Sequence, residues 1–184
     1  MVTAEALVEQ LAGACIGRTF NQYAEGPRAG LLRTRLAGYL ERRAGAPLML
    51  VGEAPGYRGT RVSGIPFTSE RQLTGAGPGE ATATVVHRVL DELGLEEQVL
   101  LWNVVPTHPG NASSNRRPTR VEVDASAPFL AALARGRRVI AVGRLAQARL
   151  RAPAVRHPSH GGARAFEDGL VELLDRGDLG PDPA

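Results

Sequence analysis

The chain contains no lysine: all 22 of its basic side chains are arginine. Arginine suits bidentate phosphate contacts and stacking on bases. A GC-rich coding bias also removes lysine and enriches alanine and glycine, and it is the preferred cause here. The net charge of +3 is compatible with a nucleic-acid partner without demonstrating one. Cysteine is nearly absent as well. Cys15 stands alone, which excludes an internal disulfide and a cysteine-rich metal site. No apolar run approaches the length of a membrane span, and the first residues lack a signal peptide's apolar core. A cytoplasmic monomer without membrane contact is therefore expected. Neither Gly-x-Gly-x-x-Gly nor a Walker A pattern occurs, which argues against dinucleotide and ATP sites. His87, His108 and His160 show no metal-ligand spacing. No metal and no cofactor are expected.

What is present is an ordinary globular composition. Apolar residues make up 43% of 184 positions, enough for one sizeable core. No repeat and no second domain are visible. A single domain over 1–184 is expected, with 176–184 as a frayed polar tail.

The stretch 48–67, LMLVGEAPGYRGTRVSGIPF, organises the rest. Leu48, Met49, Leu50 and Val51 form a continuous apolar run, the pattern of a strand buried on both faces. It breaks at Gly52-Glu53-Ala54-Pro55-Gly56. Ligands of open parallel sheets bind beyond the carboxyl ends of strands, so a carboxylate placed there is a site candidate. The plainer reading is a solvated Glu in a strand-to-loop turn.

Along the chain, spacing predicts helices over 3–14 and about 31–40, the second with Arg33, Arg35, Arg42 and Arg43 on a solvated face. Residues 15–30 and 68–80 read as irregular. A helix at 81–93 is stopped by Gly94. Val99–Trp102 form a second strand with Asn103 near its end. Residues 105–118, VPTHPGNASSNRRP, make a long polar loop of the kind that often carries function. Thr119 and Glu122 have capping-box spacing and open a helix through Ala134, which Pro128 should kink or shorten. Residues 139–142 form a third strand, Gly143 leads into a helix ending at Leu150, and 154–156 form a fourth strand. A last helix covers 163–174. Strands alternating with helices imply βαβ units. The expected fold is α/β, a three-layer α/β/α sandwich around a four-stranded parallel sheet.

Three segments thus stand at ends of parallel strands, and together they resemble the uracil-DNA glycosylase superfamily. Gly52-Glu53-Ala54-Pro55-Gly56 is similar to the first motif of the family-four enzymes. Gly64-Ile65-Pro66-Phe67 is similar to their Gly-x-Pro-Phe segment, and Arg61-Val62-Ser63-Gly64 with Phe67-Thr68 resembles the family-five loop. Asn103 matches the Asn after the second strand. Asn115-Arg116-Arg117-Pro118 resembles the Asn-Arg-x-Pro of the same family, and His157-Pro158-Ser159 the second motif. The order is kept over about 47–170. The chain departs from family four in having one cysteine rather than the four that hold an iron–sulfur cluster. It also has Tyr57-Arg58-Gly59-Thr60 in place of an acidic pair, and His160-Gly161-Gly162 in place of an apolar wedge.

The resemblance implies a DNA repair glycosylase hydrolysing the bond between sugar and flipped base, with uracil first. The DNA would be single- or double-stranded and carry a damaged base. Glu53 and His157 would be catalytic. Gly52, Ala54, Pro55, Gly56, Phe67 and Asn103 would bind the base, and Arg116, Arg117, Pro158, Ser159 and His160 the DNA. Phe67 offers a flat face for stacking, or alternatively core packing. The Asn103 amide carries both a donor and an acceptor, matching a pyrimidine's O4 and N3–H, or ends a strand as a turn residue. His157 can donate to uracil O2 as charge develops there. Glu53 can orient water or stabilise the sugar cation, although alternation along a strand can turn it away. Gly56 aligns with a Tyr that excludes thymine in family one and leaves the pocket more open. Two alternatives stay open: a noncatalytic nucleic-acid-binding or lesion-sensing member of the fold, and a hydrolase of small nucleosides.

Overall fold

A computed structural model describes residues 3–176. Four parallel strands form one sheet in the order β2-β1-β3-β4. They are β1 (Leu48–Gly52), β2 (Val99–Asn103), β3 (Arg138–Val142) and β4 (Ala154–Val155). Every residue of β1 and β2 is buried, which explains their unbroken apolar runs: helices cover both faces. β1 is central, with Leu48 opposite both Val99 and Arg138. The chain builds outward from β1 to β2 on one side and to β3 and β4 on the other. The crevice between β1 and β3 is therefore the topological switch point, where such sheets place ligands.

Helices α1 (Ala4–Gly13) and α2 (Ala29–Arg42) pair with each other, and α1 is capped by the Thr3 hydroxyl, which accepts the Ala6 N–H at 3.2 Å. α5 (Ala81–Glu92) ends at Gly94, whose φ of +66° allows the left-handed turn. α6 (Arg120–Ala134) opens on the expected Thr119–Glu122 capping box. It runs through Pro128 without ending there, so the expected shortening does not occur. α7 (Arg144–Leu150) and α8 (Ala163–Asp175) follow β3 and β4. Arg176 ends α8, and the rest of the expected tail, 177–184, lies outside the described residues. No described helix is long and apolar enough to cross a membrane.

Two expectations need correction. Two short helices, α3 (Thr60–Ser63) and α4 (Glu70–Thr74), lie in stretches read as loop or irregular. Each is about one turn, too short for apolar periodicity to register, and α4 depends on a Ser69–Gln72 capping box. The arginines of α2 are also not simply solvated. The Arg35 guanidinium bonds the Glu70 carboxylate at 2.7 Å, joined by Arg28, and Arg33 donates to the Tyr23 carbonyl at 2.8 Å.

The 105–118 loop is ordered by the N-terminal segment. Phe20 and His108 exchange backbone hydrogen bonds, the Gln22 side chain donates to the Pro106 carbonyl at 2.9 Å, and the Thr19 and Thr107 hydroxyls meet at 2.6 Å. At the other end, Val104 and Val105 donate to the Gly52 and Glu53 carbonyls. The loop is thereby locked to the carboxyl end of β1.

Candidate active site

Gly52 and Asn103 are register partners at the ends of β1 and β2. The Phe67 ring lies against Gly52 so closely that a Cβ there would stand 2.3 Å from Phe67 Cζ and 3.0 Å from Asn103 Oδ1. Phe67 takes a φ of +52°, unusual for a side-chain-bearing residue and costly by about 1–3 kcal/mol. The turn holding it is tied by Ser63. Its hydroxyl donates to the Thr68 carbonyl at 2.6 Å and accepts the Ile65 N–H at 3.1 Å. Gly64, at φ +82°, lets the chain press against Leu32. Phe67 and Asn103 are both buried, and no protein group bonds the Asn103 amide among the described residues. Strain, close packing and an unspent amide converge on one strand end. Gly52→Ala should force Phe67 out of this position. We expect a loss of about 1–3 kcal/mol in stability from overpacking, read as a lower urea midpoint at unchanged m-value.

Beside this cluster, at the switch point, lies a cleft of ≈ 790 Å³ lined by Glu53, Arg117, Arg144, Arg156, His157 and Ser159 among others. Glu53 and His157 thus line the same cleft. His157 emerges after β4 and packs against Gly143, whose φ of +87° and missing side chain leave it room. The Ser159 backbone N–H donates to His157 Nδ1 at 3.2 Å, so Nδ1 holds a lone pair and Nε2 carries the ring proton. Burial lowers the His157 pKa, with His160 and Arg156 adding repulsion, so the neutral ring is favoured. Burial raises the Glu53 pKa, and Arg117 partly opposes that.

The first-motif loop is held from two sides. The buried His108 ring has Nδ1 2.8 Å from the Pro55 carbonyl and Nε2 2.9 Å from the Asn111 carbonyl. The Tyr57 N–H donates to Asn115 Oδ1 at 2.9 Å. Gly56 and Gly59 together make room for the Glu80 carboxylate, where a Cβ on either would stand about 2 Å from an oxygen. Burial raises the Glu80 pKa.

Of the residues singled out from sequence, Glu53, Arg117, His157, Ser159 and His160 meet in the cleft. Gly52, Phe67 and Asn103 form the tight cluster next to it. Ala54 and Pro55 continue the loop, and Pro158 is buried under the histidine turn. Arg116 does not line the cleft: its guanidinium, 38% exposed, is held by both oxygens of the buried Glu122 and also donates to the Arg18 carbonyl. Sequence reasoning missed Arg144 and Arg156, although each adjoins a strand-end residue, Gly143 or His157. It also missed the loop contacts of His108 and Glu80, which no local pattern marks. The residues do not fit an iron–sulfur cluster. Cys15 is the chain's one cysteine, and no three His, Cys, Asp or Glu side chains converge among the described residues.

A family model described as the Uracil DNA glycosylase superfamily matches residues 41–174. The chain belongs to the uracil DNA glycosylase superfamily. The matched span contains both strand-end clusters and the cleft. The crystal structure of wild-type Pedobacter heparinus SMUG2 is similar across 98% of this chain and 100% of that one. Its TM-score is 0.70 at 13% sequence identity, which speaks to the shared fold. No curated protein matches the chain in sequence. Members of this superfamily are glycosylases that act on DNA, in base excision repair.

Proposed function

We propose that the protein is a monofunctional DNA glycosylase that excises a flipped base, uracil first. The observation that carries this is that His157, whose Nδ1 accepts the Ser159 N–H, and Glu53 line one cleft beside the Phe67–Asn103 cluster. A flipped uracil would stack on Phe67 and set O4 and N3–H against the Asn103 amide. As the bond between C1′ and N1 breaks, its electron pair goes to the base, and His157 Nε2–H donates to the negative O2. Water then adds to the cationic C1′ and passes its proton toward Glu53. The released base anion takes its proton from solvent.

Arg117, Arg144 and Arg156 take part in none of the salt bridges among the described residues, and Glu53, whose charge Arg117 favours, is the one carboxylate in the cleft's lining. They supply the phosphate contacts in this reading. Replacing all three by Ala should reduce the salt slope of DNA binding by about 2–3. Arg116→Ala should leave that slope unchanged.

The test is incubation with oligonucleotides carrying uracil or other deaminated bases, followed by alkaline cleavage of abasic sites. Excision of uracil is expected. Burial of Phe67 and Asn103 favours a second reading, a lesion-binding protein without activity. Binding to damaged strands with no excision of any base would select it. Hydrolysis of free nucleosides would replace both.

A further inference from the structure

We infer that His160 is a positioning residue: it orients the Ser159 hydroxyl toward His157 Nδ1 and so reinforces the tautomer that the Ser159 backbone N–H sets. The Ser159 Oγ lies 2.8 Å from His157 Nδ1 and 3.0 Å from His160 Nδ1. A serine hydroxyl has one proton and two lone pairs. The backbone N–H of Ser159 already makes His157 Nδ1 an acceptor. If the hydroxyl pointed its proton at His160, its lone pairs would face the Nδ1 lone pair at 2.8 Å. The hydroxyl proton therefore goes to His157, and the partner left for Oγ must donate. That donor is His160 Nδ1–H. The order His160 to Ser159 to His157 is the one arrangement in which every group is matched.

The backbone is bent to build this contact. His160 has a φ of +53°, and Gly161 follows at +75°. A Cβ on Gly162 would stand 2.2 Å from the His157 carbonyl, so the turn closes only on glycine. His160 stands where the superfamily motif is expected to carry an apolar wedge.

The inference rests on the proposed role of His157 as donor to the leaving base, but its primary readout does not need activity. Nitrogen-15 NMR of the imidazoles in the full chain should show His157 protonated at Nε2. It should show neutral His160 protonated at Nδ1, the less common tautomer in water. His160 carrying its proton at Nε2 would overturn the inference. Two variants add a kinetic arm. His160→Gly removes the ring while tolerating the positive φ. His160→Asn suits the same backbone and restores an N–H donor. The Gly variant should lose roughly 2- to 10-fold in single-turnover excision at saturating enzyme, the weight of one neutral hydrogen bond. The Asn variant should recover most of that. Equal rates in the two variants would overturn the inference. A protein that excises no base but shows the expected tautomers would sink the proposed function and leave the relay standing.

Discussion

Replacing His157 with alanine is expected to slow single-turnover excision by ~100- to 1000-fold while DNA affinity stays near wild type. That is the typical cost of removing one positioned donor from a developing oxyanion. The ring touches the reacting base in this mechanism, whereas the arginines carry the phosphates, so rate and affinity separate. Glu53→Gln provides the companion measurement, a pH–rate profile. Both groups act deprotonated: Glu53 as carboxylate, His157 as neutral imidazole. Burial raises the Glu53 pKa, so its acid limb should lie above the ordinary carboxylate range. Burial lowers the His157 pKa, so its limb should lie below the ordinary imidazole range. In Glu53→Gln the carboxylate limb should vanish and the imidazole limb remain, at a strongly reduced rate. A wild-type rate in both variants, on a strand the protein cleaves, would remove these residues from the site.

The cleft was legible because its parts occupy strand ends. Leu48–Val51 is apolar at every position, so β1 and its C-terminal break announce themselves. Glu53 and His157 follow directly from where β1 and β4 stop. The order of the strands makes those two ends converge. What sequence could not disclose are contacts across the chain. Arg116 sits in an Asn-Arg-Arg-Pro stretch that reads as a phosphate site, yet Glu122 claims its guanidinium. The spacing of Thr119 and Glu122 predicted a cap and was right, but gave no sign that the same carboxylate had a second task. His108 clamps Pro55 from 53 positions away, and Glu80 reaches Gly56 and Gly59 because two missing side chains admit it. Such fits depend on three-dimensional space, for which neither periodicity nor motif order carries a signal.

Glu122 is where the largest change in stability is expected. Its carboxylate is buried and receives four donors. Oε1 accepts the Arg18 N–H at 3.1 Å and an Arg116 N–H at 2.5 Å. Oε2 accepts the Thr119 N–H and the other Arg116 N–H, both at 2.8 Å. Gly17, at φ +56°, brings the N-terminal segment against its side chain. One residue thus caps α6, anchors the 15–19 segment and fixes the loop that bonds Tyr57. Glu122→Ala removes the cap and leaves the Arg116 charge and two backbone donors without their acceptor. Breaking a buried pair from one side costs about 3–5 kcal/mol, and the partial exposure of Arg116 lowers this to about 2–4. The guanidinium of Arg116 and the backbone donors hold the Glu122 pKa at about 2, against 4.5 for an ordinary glutamate. A depressed carboxyl stabilises the fold above pH 4.5, and that contribution drains away as pH falls from 4.5 toward 2. The gap between wild type and Glu122→Ala in urea unfolding should therefore be widest near neutrality. It should narrow measurably by about pH 3. A gap of the same size at both pH values would mean that the pair stabilises through packing and not through charge.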